Sequence, residues 1–336
     1  MMNEKPSEIG RASETVPQEA QRPLGQARPK KREINGWLVL DKPVGITSTH
    51  AVAVAKRLFN AKKAGHAGTL DPLASGLLPI AFGEATKTVP FVMDGRKGYR
   101  FTVSWGEERD TDDSEGAVLK FSAERPSRQA IEAALSPFIG EIMQTPPRYS
   151  AIKIAGERAY DLSRSGQSVE LEARPVKIDA LTLIAHEGDT SAFEAICGKG
   201  TYVRAIARDL GRALGCFGHV SALRRTSVGP FSERDAISLD DLAVLGDKAA
   251  AGQGDYQANL AGELLPVATA LDDIPALAVS RADAGRLRRG QAVLLRGRDA
   301  PLLQGRISVT SEGALVALAD AEGAEIKPTR IFNLGR

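Results

Sequence analysis

The chain holds 336 residues, with 44 Lys+Arg against 42 Asp+Glu, a net charge of +2 and 43% hydrophobic residues. That composition suits a globular protein with a sizeable core, reads as two domains or one with an appendage, and speaks weakly against a nucleic-acid binder. Two cysteines exclude a disulfide framework, four histidines without paired spacing give no zinc signature, and no apolar run approaches the roughly 18 residues of a membrane helix.

Residues 1–33 carry seven Lys/Arg and five Glu and almost no large apolar side chain. They read as a disordered tail that is neither a secretory signal nor a transit peptide. Order is expected from Ile34. Trp37-Leu38-Val39-Leu40 reads as a buried strand ended by Pro43 and Gly45. Thr47, Ser48 or Thr49 can cap a helix that puts Val54, Ala55 and Leu58 on one face. Tyr99, Phe101, Val103 and Trp105 alternate as on a half-buried strand. Ser127–Ile139 has Ile131, Leu135 and Phe138 at helical spacing. Leu181–Ala185 and Ala192–Cys197 read as paired strands about a Gly-Asp turn, and Val203, Ile206, Ala207, Leu210 and Leu214 form a helical stripe. Strands and helices interleave without a βαβ repeat, so the expected class is mixed α+β around a mixed sheet. Beyond an Ala/Gly-rich stretch, short strand-like runs at Ala292–Leu295, Arg306–Val309 and Ala314–Ala319 read as a small β-rich appendage.

Two stretches carry candidate chemistry. In Gly65–Gly76 three glycines and a proline bracket one carboxylate, Asp71, between Leu70 and Leu73. Glycine allows close approach of another molecule and proline stiffens the loop, yet an Asp before Pro also simply starts turns. The second stretch is Lys199-Gly200-Thr201-Tyr202-Val203-Arg204, from which Arg204, Arg208 and Arg212 run four apart along one helix face. A solvated basic face is the simplest account of them. A further basic run spans Arg281–Arg298, and the two together suggest an electropositive surface. Dinucleotide-binding, P-loop and nucleophile-elbow motifs are absent.

These residues fall into an ordered set of motifs: Asn35–Gly45 with Lys42-Pro43, Ala64–Pro79 around Asp71, Gly83–Lys87, Tyr99-Arg100, Tyr149–Lys153 with Gly156 and Tyr160, Lys199–Arg204, and Leu223-Arg224-Arg225. The set, over roughly residues 34–232, resembles the TruB family of bacterial tRNA pseudouridine-55 synthases. The resemblance implies the pseudouridine-synthase fold, a mainly antiparallel sheet with flanking helices, followed by a small PUA-like β domain. It divides the chain into a tail (1–33), a catalytic domain (34–250), a linker (251–272) and an RNA-binding module (273–336). It implies isomerisation of the T-loop uridine of tRNA without cofactor or metal, by a monomer in the cytoplasm that flips the base out. Asp71 would be the catalytic carboxylate, attacking C1′ or removing the 2′ proton. Arg204 would pair with it and Tyr99 would stack on the base. His66, Lys42, Tyr202, Lys87, Lys153, Arg224 and Arg225 would contact RNA. A tRNA-binding protein without chemistry is the alternative that the basic patches alone would allow.

Overall fold

The computed structural model describes residues 30–150, 153–154, 157–158, 171–250, 256–295 and 303–334. Most of the tail expected from the sequence, with Ile152, Gly156, Tyr160, Arg296 and Arg298, lies outside the described residues. Regular pairing starts a little before Ile34: the Arg32 N–H donates to the Asn60 carbonyl at 2.9 Å.

Among the described residues, ten strands form one mixed sheet. They are β1 (Gly36–Lys42), β2 (Ala64–His66), β3 (Ala74–Phe82), β4 (Lys97–Trp105), β7 (Gly140–Gln144), β10 (Arg174–Glu187), β11 (Thr190–Cys197), β12 (Gly218–Val228), β13 (Phe231–Ser232) and β14 (Ala236–Ser238). The intervening numbers belong to two small hairpins, β5 (Glu107–Arg109) with β6 (Val118–Phe121), and β8 (Lys153–Ile154) with β9 (Glu157–Arg158). The sheet order is β14-β1-β3-β12-β4-β11-β10-β7, with β2 beside β3 and β13 beside β12. Only β1 with β14 and β3 with β12 run parallel among these pairs. The helices are α1 (Ser48–Leu58), α2 (Val89–Asp94), α3 (Arg128–Ala134), α4 (Val203–Ala213), α5 (Leu239–Ala250), α6 (Tyr256–Gly262) and α7 (Arg281–Arg288). No helix among the described residues is long and apolar enough to cross a membrane.

The period of two along β1 and β3 sends their side chains into two cores. Leu38, Leu40, Leu78, Ile80 and Phe82 face one cluster together with Ala51 and Ala55 of α1 and Ile206 and Leu210 of α4. Trp37, Val39, Leu77 and Ala81 face the other. A strand covered on both faces is apolar throughout, which is why Leu77–Phe82 is an unbroken apolar run. Of the three candidate caps for α1, Thr47 is the one used, its hydroxyl accepting from the His50 N–H at 3.1 Å. Helix α3 is shorter than its apolar spacing suggests. It ends at Ala134 and Ser136–Phe138 continue as a 3₁₀ turn, because Pro137 cannot donate within an α-helix. Strand β10 is longer than Leu181–Ala185, its first part being the partner of the edge strand β7.

A second sheet, of five strands among the described residues, follows in the order β15-β17-β18-β19-β16. Its strands are β15 (Ala276–Ala278), β16 (Val293–Leu294), β17 (Leu303–Ser311), β18 (Ala314–Gly323) and β19 (Glu325–Ile331). Ala284 and Leu287 of α7 pack on Ile307, Val309 and Val316 as a core of its own. Leu315, Leu318 and Phe332 instead join the cluster of Trp37, Val39 and Phe231. Between the sheets, Leu265 exchanges two backbone hydrogen bonds with Trp37, each 2.8 Å.

Gly76 marks where the sheet and the Asp71 loop meet. It has φ +98°, and a Cβ there would lie 2.2 Å from the Arg225 carbonyl oxygen of the neighbouring strand. Both the left-handed backbone and the clash oppose a side chain. Gly76→Ala should lower stability by at least about 3 kcal/mol, read as a fall in the urea unfolding midpoint. An unchanged midpoint would mean that β3 and β12 are not this close.

Candidate active site

The register of three neighbouring strands builds the site. Leu223 and Arg225 of β12 pair with Ala74 and Gly76 of β3 on one side and with Phe101 and Tyr99 of β4 on the other. Tyr99 and Arg225 are thereby fixed side by side, with Asp71 in the loop that leads into β3. Helix α4 then brings Arg204 over them. Its start is clamped by Gln144 at the end of β7, whose side-chain amide accepts from the Tyr202 N–H at 2.9 Å and donates to the Tyr202 carbonyl at 3.2 Å.

The Asp71 loop is held at almost every residue. The Ser48 hydroxyl accepts from the Leu70 N–H and donates to the Leu70 carbonyl, at 2.8 and 2.9 Å. The Pro72 carbonyl accepts from the Gly45 N–H at 2.8 Å and the Asp71 carbonyl from the Ala74 N–H at 3.1 Å. Arg225 holds the far side, donating to the carbonyls of Gly68, Thr69 and Leu77 at 3.1, 3.4 and 2.8 Å. Leu70 and Leu73 are buried on either side. The Asp71 carboxylate itself keeps 36% of its surface exposed and meets Arg204 Nη2 at 2.9 Å.

Arg204, Asp71, Tyr99, Tyr202 and Arg225 line one cleft of about 560 Å³, within the range of sites that enclose a small ligand. Burial pushes the half-buried Tyr99 phenol above its ordinary value, and the Arg225 guanidinium, which hydrogen-bonds to it, opposes that rise. Arg204 does more than meet Asp71. It donates to the carbonyls of Thr111 and Tyr149 at 2.8 and 3.0 Å, and its Nη1 lies 3.4 Å from the buried Asp113 carboxylate.

The other expected residues are placed variously. Lys42 is fully buried at the end of β1, its ammonium donating to the carbonyls of Pro43 and Ile46 at 2.8 and 2.9 Å and reaching that of Pro72 at 3.5 Å. His66 is half-buried at the end of β2, its Nδ1 without a hydrogen-bond partner, and burial lowers its pKa. The Tyr202 ring lies under the Arg174 guanidinium, 5.4 Å from its centroid. Lys87 stands away from the cleft, paired with Glu84 at 2.6 Å and donating to the Ile331 carbonyl at 2.8 Å, so its charge ties the 3₁₀ turn Gly83–Lys87 to β19. Arg224 lines a neighbouring hollow of about 460 Å³ and is paired with Asp41 and Glu233 at 2.9 and 2.6 Å. Lys153 lies on β8.

Three expectations change. Lys42, expected to contact RNA, is fully buried with its ammonium turned to carbonyls of its own chain. Arg225, grouped with Arg224 as a surface phosphate contact, is 2% exposed, because alternation along β12 turns it inward beneath the loop. The basic stripe of α4 is solvated only at its far end: Arg204 and Arg208 are buried, and Arg212 stays half-exposed. Arg208 meets Asp112 at 2.8 Å and Arg212 meets Glu108 at 2.6 Å, acids supplied by β5 and the turn after it. Two groups that meet the site are not singled out by the sequence pattern. One is Asp113, whose signal is the acid-rich run Asp110–Asp113. The other is Lys97, two residues before Tyr99, which lines the cleft and donates to the Gly95 carbonyl at 2.6 Å and to that of Met93.

Burial lowers both Lys42 and Lys97 from 10.5 to about 8. Their folded values lie below the unfolded one, so the folded state binds fewer protons between pH 8 and 10.5, and these two groups add stability as pH rises through that window. The carbonyl contacts that need a charged ammonium weaken over the same range. Activity should therefore fall as pH rises through about 8 while circular dichroism stays that of the folded protein. A rate that is flat to pH 10 would remove both lysines from the working of the cleft.

Comparison with known proteins extends these observations over the chain. Residues 56–203 match the family model of the TruB family pseudouridylate synthase N-terminal domain, and residues 204–272 match that of the tRNA pseudouridylate synthase B C-terminal domain. The protein of Rhodopseudomonas palustris named tRNA pseudouridine synthase B is 64% identical over 95% of this chain and 87% of its own length. The protein of that name from Bradyrhizobium diazoefficiens is 64% identical over 99% of this chain and 95% of its own. Among solved structures, a Cbf5-Nop10-Gar1 complex matches with a TM-score of 0.68 at 27% identity, covering 89% of this chain and 85% of that one. An H/ACA RNP bound to a substrate RNA containing 2'-deoxyuridine matches with a TM-score of 0.68 at 26% identity over the same shares.

Proposed function

The chain belongs to the TruB family of pseudouridylate synthases, and from that premise we propose that it isomerises the T-loop uridine at position 55 of tRNA with Asp71 as its catalytic carboxylate. It is a tRNA pseudouridine synthase, as its relatives at 64% identity are named. The observation that carries the assignment to Asp71 is its contact with Arg204 at 2.9 Å in a cleft shared with Tyr99.

The reaction breaks the bond between uracil N1 and C1′, turns the base and joins C5 to C1′. The C5 proton leaves and N1 gains one, so the product is an isomer and no electrons are exchanged. Whether it begins by attack on C1′ or by removal of the 2′ proton, it needs an ionised Asp71 aimed at the sugar. Arg204 supplies the facing positive charge and the fork that orients it. Tyr99 offers a ring for the base to stack on and, with its raised pKa, a hydroxyl still protonated at neutral pH. Arg225 at its oxygen eases loss of the phenol proton, and the phenolate can then take the C5 proton late in the reaction.

A uridine stacked in a folded loop has to be flipped to enter a cleft of this size. His66, Tyr202 and the exposed cations around the cleft support that strand, Lys42 shapes the site from beneath through the carbonyls of Pro43 and Ile46, and the second sheet serves as the PUA-like RNA-binding module. The enzyme works as a monomer in the cytoplasm on the T-arm. A protein that only bound RNA would gain nothing from a half-exposed carboxylate facing phosphates. The test is carbodiimide primer extension on transcribed tRNA with and without the protein. One new stop at the T-loop uridine is expected; stops elsewhere, or none, would overturn the site assignment.

A further inference from the structure

We propose that Asp112 is a positioning residue of this active site: by gripping Arg208 it fixes the turn whose neighbours hold Arg204, and through Arg204 it aims Asp71. The proposal rests on the function assigned above.

Three consecutive residues meet the arginines of α4. The Thr111 carbonyl and the Asp113 carboxylate both take Arg204, at 2.8 and 3.4 Å, and between them Asp112 takes Arg208 at 2.8 Å. Arg204 and Arg208 stand one turn apart on the same helix face, so the contacts form a ladder. Arg208 is a fixed post for it. Its other nitrogens donate to the Asp209 carboxylate at 2.8 Å and to the Thr145 carbonyl at 2.7 Å, and it is buried.

Asp112 itself adopts φ +61°, a left-handed conformation that is strained for a non-glycine residue. Its N–H donates to the Arg109 carbonyl and its carbonyl accepts from the Val220 N–H, each at 3.1 Å, which ties the turn to β12. Only 5% of the residue is exposed. Burial pushes its carboxyl up to about 6 against the pull of Arg208 and Arg204, so holding it charged opposes folding. A strained backbone and a buried charge coincide at one residue, and what they accomplish together is to set where Thr111 and Asp113 present their oxygens. Arg204, with four contacts to share, is placed by those oxygens. A small shift there moves the hydrogen bond to Asp71.

The test compares the single-turnover isomerisation rate and the tRNA Kd of three proteins. Asp112→Gly accepts the left-handed backbone and deletes the carboxylate; it should slow the rate about tenfold with Kd within about twofold. Asp112→Asn tolerates the same backbone and returns an oxygen to Arg208; it should recover to within about threefold of the parent. A residue needed only for folding would lower the active fraction, as counted by burst titration, without moving the rate of the folded enzyme. The proposal is overturned if the Gly variant turns over at the parental rate, or if the Asn variant is as slow as the Gly variant. Absence of isomerisation by the parent protein would instead overturn the functional reading.

Discussion

Asp71→Asn should lower the single-turnover rate of pseudouridine formation by about 10⁴-fold or more, the loss typical of removing the one group that reacts with substrate. Asparagine has nearly the same volume and keeps an oxygen that Arg204 can reach, so the loop pinned by Ser48, Gly45 and Arg225 should not move. It cannot attack C1′ or take the 2′ proton. The tRNA should still bind, and slightly more tightly, since a negative charge facing phosphates is gone. Rate and filter-binding affinity measured on one preparation separate the two effects. Full activity in this variant would remove Asp71 from the chemistry.

The second large effect is expected from Arg204→Lys. The guanidinium reaches Asp71, Asp113 and two carbonyls from one plane, which an ammonium cannot span. Asp113, 2% exposed, would keep a buried charge without a full partner. Breaking one side of a buried pair costs about 3–5 kcal/mol, and the rate should fall about 10²–10³-fold as Asp71 loses its orientation. Stability should fall with it, so the rate is to be read at a temperature well below the variant's melting point. A variant within about threefold of the parent would show that charge alone, rather than the fork, is what Asp71 needs.

The outline of this site is legible wherever local pattern carries it. The glycines and proline about Asp71 announce a stiff loop, the alternation from Tyr99 to Trp105 announces the strand beside it, and the stripe from Val203 to Leu214 announces the helix that bears Arg204. Such signals depend on residues a few positions apart, which is the reach of a loop, a strand or a helical turn. Cations are less legible. Lys42, Lys97, Arg208 and Arg225 all have the look of surface charges and all are buried.

The chain's near-neutral total shows the same division. The count of +2 and the basic runs within it are properties of the sequence alone, as are the family motifs and the loop that carries Asp71. Which charges face solvent was decided only in three dimensions. Arg204, Arg208 and Arg212 meet acids or carbonyls 93, 96 and 104 residues away, and Arg225 goes inward because β12 is inserted between β3 and β4. A charge is buried only where a partner offsets its desolvation, and that partner is supplied by strand order and register, which no short stretch of sequence encodes.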